Sequence, residues 1–254
     1  YLEACLLQIK IIYYNNMSLI KEFKTIGTWL FRYRSYIPLL ILPLLIKSLN
    51  NQNDYPINIY LYFGLAVSFS GQIIRLYTVG STPKNTSGRN YKKQLAETLN
   101  TTGIYSIVRH PLYLGNYLMY LGPFIYTSDI NSILIFSLLF WIYYERIMIA
   151  EEAFLISKFS DSYHNWSIKT PAFIPNFSLF KSNHNFSYKK AILGEYSGIC
   201  GLILIFLFSI YFKYLYNCNT QAPNILYIIF IINIFLYICL RTIKKFYHYK
   251  KYTI

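Results

Sequence analysis

The chain has 254 residues, of which 55% are hydrophobic, 20% aromatic and only 13% charged. Soluble domains average about 25% charged residues, so half that fraction with a mean hydropathy of +0.31 argues against both a water-soluble globule and a disordered chain. Four scattered cysteines, Cys5, Cys200, Cys218 and Cys239, form no CxxC pair and leave no disulfide scaffold or cysteine-rich zinc site, while a net charge of +14 calls for an anionic counterpart, either nucleic acid or a membrane face.

The first methionine is Met17, which opens MSLIKEFKTIGTWLFRYRS, so residues 1–16 are expected to lie upstream of the true start. A crossing of a bilayer core about 30 Å thick takes roughly 20 mostly apolar helical residues. Tyr36 to Leu49 is short for this and holds Pro38 and Pro43, so it reads as a kinked span or a re-entrant hairpin. Ile57 to Val79 is apolar until Arg75 and predicts a second span. Leu112 to Thr127 predicts a third, with Gly115, Gly122 and Pro123 where membrane helices tolerate close approach. Ile130 to Ala150, apolar until Glu145, predicts a fourth, and Ile192 to Tyr216 and Pro223 to Leu240 complete a set of six. The expected fold is all-α, a polytopic membrane helical bundle. Residues 17–70 carry its N-terminal spans, 71–175 its chemistry, and 176–254 a linker with two accessory spans.

Six spans divide the loops into two sets. The N-terminal tail, the segment from Arg75 to Arg109, the segment after the fourth span and the C-terminal tail together hold 22 of the 24 Lys+Arg, leaving Lys47 and Lys213 for the other side. By the positive-inside rule both termini and both long loops face the cytoplasm. Each basic cluster then lies beside a span, where an anionic phospholipid surface is the nearer counterion, and a nucleic-acid partner is not needed. The sequons at Asn85, Asn100 and Asn165 fall in these cytoplasmic loops and read as by-products of an Asn-rich composition.

Dense polar groups at a span boundary are the informative exceptions in such a chain. One is GIYSIVRHPLYLGN, residues 103–116. Pro111 suits the first helical position, which puts His110 at the N-cap, where free backbone N–H groups and the helix dipole add to Arg109 and His110 to make an anion site. The other is Glu151-Glu152 at the end of the fourth span, with Glu145 two turns earlier on the face of Glu152. Carboxylates there need a cation, an arginine of the protein or a charged ligand. An Arg-His pair at a span end is also what a lipid-phosphate anchor looks like, and a Glu pair what a solvated helix end looks like; spacing leaves both open. Tyr113, Tyr117 and Tyr120 are equally open between interfacial packing and ligand contact.

These residues carry a family resemblance. GIYSIVRHPLYLGN resembles the GxYxxvRHPxYxG motif of the isoprenylcysteine carboxyl methyltransferase and phospholipid methyltransferase superfamily. AEEAFLISKFSDSYHNWSIKTPAFIP resembles that family's EExxLxxxFxxxYxxYxxxxPxxxP motif, with Trp166 at the last aromatic position. One hairpin of spans separates the two, as in the family, and the likeness runs from about Gly71 to Pro175.

The resemblance implies an integral membrane enzyme that transfers a methyl group from S-adenosylmethionine to a membrane lipid or lipidated acceptor. Carboxylate or phosphate O-methylation is favoured, since such an acceptor needs only a cation. Arg109 and Glu152 would then be catalytic, and His110, Tyr113, Glu151 and Glu152 would bind the cofactor, with no metal. An amine acceptor would need a base, for which Glu145 or Glu152 stands ready. Tyr105, Pro111 and Gly115 look like shaping residues. The setting implied is a bacterial plasma membrane or an endoplasmic reticulum with the site facing the cytoplasm. Two other readings compete: a membrane sterol-type reductase using NADPH, which has a similar RHPxY element but a cysteine-bearing second motif absent here, and a non-catalytic lipid-binding or transport protein, which would set its ionisable residues along a mid-membrane path.

Overall fold

The structure, a computed structural model, describes residues 18–50, 56–83, 96–182, 186–217 and 221–252. Residues 1–16, the basic cluster Lys84 to Lys93, the Asn85 sequon and Cys218 lie outside them. Among the described residues seven α-helices follow one another: α1 (Ser18–Tyr33), α2 (Ile37–Asn50), α3 (Ile59–Ser81), α4 (Pro111–Tyr126), α5 (Ile130–Ser167), α6 (Tyr188–Phe212) and α7 (Asn224–Tyr252). No strand occurs among the described residues beyond an isolated bridge between Gly103 and Lys181.

Four helices, α3, α5, α6 and α7, are each long and apolar enough to cross a membrane, and α1 with α2 makes a fifth if that pair, bent by 58°, counts as one span. The expected sixth is α4, whose 16 residues rise about 24 Å and fall short of a full crossing by themselves. Tyr36 to Leu49 lies largely in α2, beyond the bend, with Pro43 inside the helix.

The closest pairing is that of α3 with α4. Glycines spaced by seven residues on each helix, Gly64 and Gly71 against Gly122 and Gly115, let the backbones touch in antiparallel register. A Cβ on Gly71 would stand 2.5 Å from the Gly115 carbonyl oxygen, and one on Gly64 would collide with the carbonyl of Gly122. This is the small-residue packing that replaces hydrophobic collapse inside lipid. Ser68, buried at the same seam, donates to the Met119 carbonyl at 2.9 Å.

The core forms where α4 and α5 meet α2 and α6. Phe124, Phe136, Phe140 and Tyr144 stack through it, with centroids 4.6 Å apart for Phe124 and Phe136 and 4.1 Å for Phe140 and Tyr144. Such offset aromatic contacts add to the dispersion gained on burial. Helix α1 rests on the middle of α5, where Gly27 admits the Arg146 backbone and the Tyr143 hydroxyl donates to the Leu30 carbonyl at 3.0 Å.

At the opposite end of the bundle the α4–α5 turn is held by polar contacts. Asp129 caps α5 by accepting from the Asn131 N–H at 3.1 Å, and Ser48 donates to Thr127 at 2.6 Å. Lys213, expected as a loop cation, is instead fully buried, with its Nζ 3.3 Å from the Tyr126 carbonyl and 4.4 Å from the ring centroid. Its stem packs with the apolar neighbours while the ammonium takes a carbonyl and an aromatic face, a form of burial open to a long cation.

Candidate active site

Helix α4 starts as its sequence dictates. Pro111 occupies the first position, and His110 is the N-cap, with φ −119° and ψ 60°. The His110 side chain makes no capping hydrogen bond, which leaves the imidazole free to turn toward α5. The approach is rigid. Ser106 donates to the Gly103 carbonyl at 2.7 Å, and Gly103 itself has φ 61°, a conformation suited to glycine.

Helix α5 supplies the carboxylates. Its unbroken part, from Ile130 to the break at Ser160, rises about 45 Å, more than the bilayer core, so Glu151 and Glu152 follow one crossing's worth of helix counted from Ile130 and stand beyond the span. Ser160 breaks the helix, with φ 41° and ψ −113°, and the chain after it folds back onto the first motif. Trp166 donates its indole N–H to the Tyr105 carbonyl at 3.0 Å. The Arg109 and His110 amides donate to the carbonyls of Pro171 and Ala172 at 2.9 and 3.1 Å, and the Asn176 amide donates to Ile107 at 2.9 Å. The second motif's Pro-rich tail is thus a lid laid along the first.

Between these elements four charges close on one another. Glu152 Oε1 lies 3.0 Å from His110 Nε2 and 3.1 Å from Arg109 Nη1. Glu151 Oε2 lies 3.6 Å from His110 Nδ1, an ionic contact longer than a hydrogen bond. The Tyr113 ring stacks on the imidazole at 5.6 Å with 17° between planes and meets Tyr144 at 4.9 Å. All five site residues expected from the sequence, Arg109, His110, Tyr113, Glu151 and Glu152, therefore meet in one place. Glu145, the expected partner of Glu152 on the α5 face, takes no part in the cluster.

Electrostatics favour the charged forms. Burial on its own would lower the His110 pKa, but contact with Glu151 and Glu152 outweighs it and raises the value above the ordinary 6.5. Burial likewise opposes ionisation of Glu151 and Glu152, and contact with His110, aided by Tyr113 and Arg34 for the first and by Arg109 and Tyr163 for the second, outweighs it, so both stay below the ordinary 4.5. A protonated imidazole, hydrogen-bonded to Glu152 and in ionic contact with Glu151 beside Arg109, would make a cluster with no net charge.

One buried donor in this cluster, Arg109 Nε, has no hydrogen-bond partner among the described residues, while the buried Tyr163 hydroxyl interacts with Glu152 and Arg109. Above Arg109 opens a cleft of about 840 Å³, lined also by residues of 167–178.

One functional element escapes sequence reasoning. Arg75, counted as a loop cation, lies inside the bundle, where its Nε and Nη2 donate to Glu195 of α6 at 2.7 and 3.0 Å and its Nη1 to Asn116 Oδ1 at 2.5 Å. Asn116 in turn donates to the Tyr144 hydroxyl at 2.8 Å. A hydrogen-bonded chain thus runs from α6 through Arg75 and Asn116 to Tyr144, which packs against Tyr113. The signal for it was present as two ionisable residues within apolar runs.

Apolar helices of this length and a charged constellation closed at a helix N-terminus define an integral membrane protein with a candidate active site at one end of its bundle. Residues 59–162 match the family profile described as phospholipid methyltransferase. The protein-S-isoprenylcysteine O-methyltransferase of Schizosaccharomyces pombe is 39% identical over 84 residues, 33% of this chain and 36% of that protein. The protein of the same name from Saccharomyces cerevisiae is 33% identical over 84 residues, 33% and 35% of the two chains. The nickel-cobalt-cadmium resistance protein NccN of Alcaligenes xylosoxydans xylosoxydans is 35% identical over 88 residues, 35% and 41% of the two chains. No solved structure matches. Residues 59–162 are thus similar to phospholipid and isoprenylcysteine methyltransferases, and the matched segment spans between a third and about two fifths of the length of these relatives.

Proposed function

We propose that the protein is a membrane methyltransferase that uses S-adenosylmethionine to methylate a carboxylate or phosphate oxygen of a lipid or isoprenoid-bearing acceptor. The observation that carries the reading is the closed cluster Arg109–Glu152–His110–Glu151 at the positive end of α4. A zwitterionic cofactor has a carboxylate, an ammonium and ribose hydroxyls to satisfy, and the cluster offers both signs of charge in one place. The orphaned donor on Arg109 fits this, since a buried donor without a partner is costly unless a ligand takes it up.

His110, Tyr113, Glu151 and Glu152 would hold the cofactor, which when bound supplies an electrophilic methyl group on its sulfonium. Glu151 and Glu152 would meet the ammonium or the ribose, and the Tyr113 ring offers a flat apolar face. Arg109 would hold the acceptor's anionic oxygen against the reaction centre, an alignment that accounts for most of the rate in an in-line displacement. The lid formed by residues 170–176 keeps water out, which strengthens each charge contact. No proton need leave a carboxylate or phosphate acceptor, so Glu152 serves to orient Arg109.

The same reading has six spans, with α4 completing the set, both termini and the site in the cytoplasm, residues 71–175 as the catalytic unit, and the basic loops against anionic lipid. The sharpest experiment is calorimetric titration of the purified protein with S-adenosylhomocysteine and, in parallel, NADPH. Binding of the first and not the second is expected. Absence of S-adenosylhomocysteine binding at millimolar concentration would overturn the assignment. Labelled S-adenosylmethionine incubated with a total lipid extract would then identify the acceptor.

A further inference from the structure

The segment that closes over Arg109 presents its apolar side chains outward. Ile168, Ile174, Phe177 and Phe180 are 69%, 79%, 75% and 53% exposed, although the backbone that carries them is anchored. The Asn176 amide is bonded to Ile107, the Lys181 amide to Ser106 Oγ at 2.8 Å and the Gly103 amide to the Lys181 carbonyl at 2.8 Å. Large apolar groups held outward on an anchored loop mark an interaction surface more than chance exposure does.

Charge and height identify the partner. Between Asp161 and Glu195 the chain has no acidic residue, while Lys169 and Lys181 flank the exposed apolar groups. The loop runs beside the N-terminus of α4 and leads directly into α6, and the Ser187 amide donates to the Gly80 carbonyl at the end of α3. It therefore sits level with the ends of three helices of the bundle, where apolar chains and lysines together match an anionic leaflet.

We propose that residues 168–180 form a membrane-dipping loop, with Ile168, Ile174 and Phe177 in the leaflet interface and Lys169 and Lys181 on anionic headgroups. The mouth of the 840 Å³ cleft, lined by Lys169, Ile174 and Phe177 above Arg109, then opens onto the lipid. An amphiphile sliding from the leaflet keeps its chain against Ile174 and Phe177 while its anionic head reaches Arg109. This route to Arg109 rests on the methyltransferase reading; the insertion of the loop does not.

The test uses the full chain in nanodiscs of phosphatidylcholine and phosphatidylglycerol, with native cysteines replaced by alanine and a fluorophore on Phe177→Cys. Leu138→Cys, on an exposed position of the α5 span, serves as the lipid reference and the dye on free cysteine as the aqueous one. Quenching of the Phe177 label by a shallow nitroxide phospholipid is expected, with iodide quenching several-fold below that of the free dye. Iodide quenching equal to the free dye overturns the insertion. Omitting phosphatidylglycerol is expected to reduce the shielding about twofold, and so is Lys169→Gln with Lys181→Gln; an unchanged value removes the lysines from the proposal. S-adenosylhomocysteine titration of the Ile174→Ser, Phe177→Ser variant separates the two readings. Unaltered cofactor affinity with poorer use of a lipid acceptor supports the route, and equal acceptor use overturns it. A shielded loop on a protein that binds no S-adenosylhomocysteine would overturn the methyltransferase reading alone.

Discussion

Arg75 and Glu195, 120 positions apart, form a two-pronged ion pair at 2.7 and 3.0 Å in which the carboxylate is 1% exposed. Through it α6, which lies beyond the segment matched to the family, is fastened to α3 and α4. The part of the chain beyond the matched segment is therefore wired to the hairpin that carries the candidate site.

Removal of one partner strands the other as a buried charge. Glu195→Ala is expected to destabilise the protein by about 3–5 kcal/mol, measured by thermal unfolding in detergent. Arg75→Met combined with Glu195→Leu should recover much of this, because the cost lies in the stranded charge. A double variant as unstable as the single one would show that the pair holds the fold together by more than mutual neutralisation.

The charged cluster makes stability depend on pH in two directions. His110 has a raised pKa, so its contribution is fully present below 6.5 and is lost as pH rises through the raised value. Glu151 and Glu152 have lowered values, so theirs is present above 4.5 and is lost as pH falls through the depressed ones. The difference in Tm between the native protein and His110→Asn should therefore be greatest between about pH 4.5 and 6.5 and shrink on either side. A difference independent of pH would contradict the ionised cluster.

His110→Ala and Glu151→Gln should each weaken S-adenosylhomocysteine binding by roughly tenfold or more while expression and helix content stay intact. Calorimetry and circular dichroism read the two separately. Normal binding by both variants would show that the cofactor sits elsewhere, whatever the family.

Gly71→Ala should cost about 1–3 kcal/mol through overpacking, because its Cβ would press on the Gly115 carbonyl at 2.5 Å. Gly201→Ala on α6 meets nothing within 4 Å and should be neutral or slightly stabilising. Tm values of the two variants side by side check the α3–α4 seam.

Orientation is open to labelling. A cysteine at Asn131, at the α4–α5 turn, should react with an impermeant maleimide from outside cells only, and one at Ser162, exposed on the other end of α5, only after the membrane is opened. The reverse pattern would invert the bundle.

Local patterns were readable because they depend on neighbours in the chain. Pro111 at the first position and His110 at the N-cap follow from backbone preferences within one turn, and the apolar runs located α3, α5, α6 and α7 to within a few residues at their starts. The bend between α1 and α2 and the shortness of α4 were less legible, since propensity does not say how a prolyl segment will turn or whether 16 residues suffice. Arg75 and Lys213 were misplaced for one reason. A cation near a span end looks like a loop residue unless its partner is known, and those partners, Glu195 and the Tyr126 carbonyl, are 120 and 87 positions away.

Sequence by itself determined the solvent, the helical class, the two motifs and the five residues of the cluster, because composition and short-range spacing carry that information. Only the tertiary structure decided that Glu152 bridges Arg109 and His110, that the chain after Ser160 folds back over the first motif, and that α6 reaches the α3–α4 hairpin through Arg75. Each of these depends on side chains far apart in sequence meeting across helix interfaces, and the choice among such pairings is made by packing and by the cost of leaving a charge alone in an apolar interior.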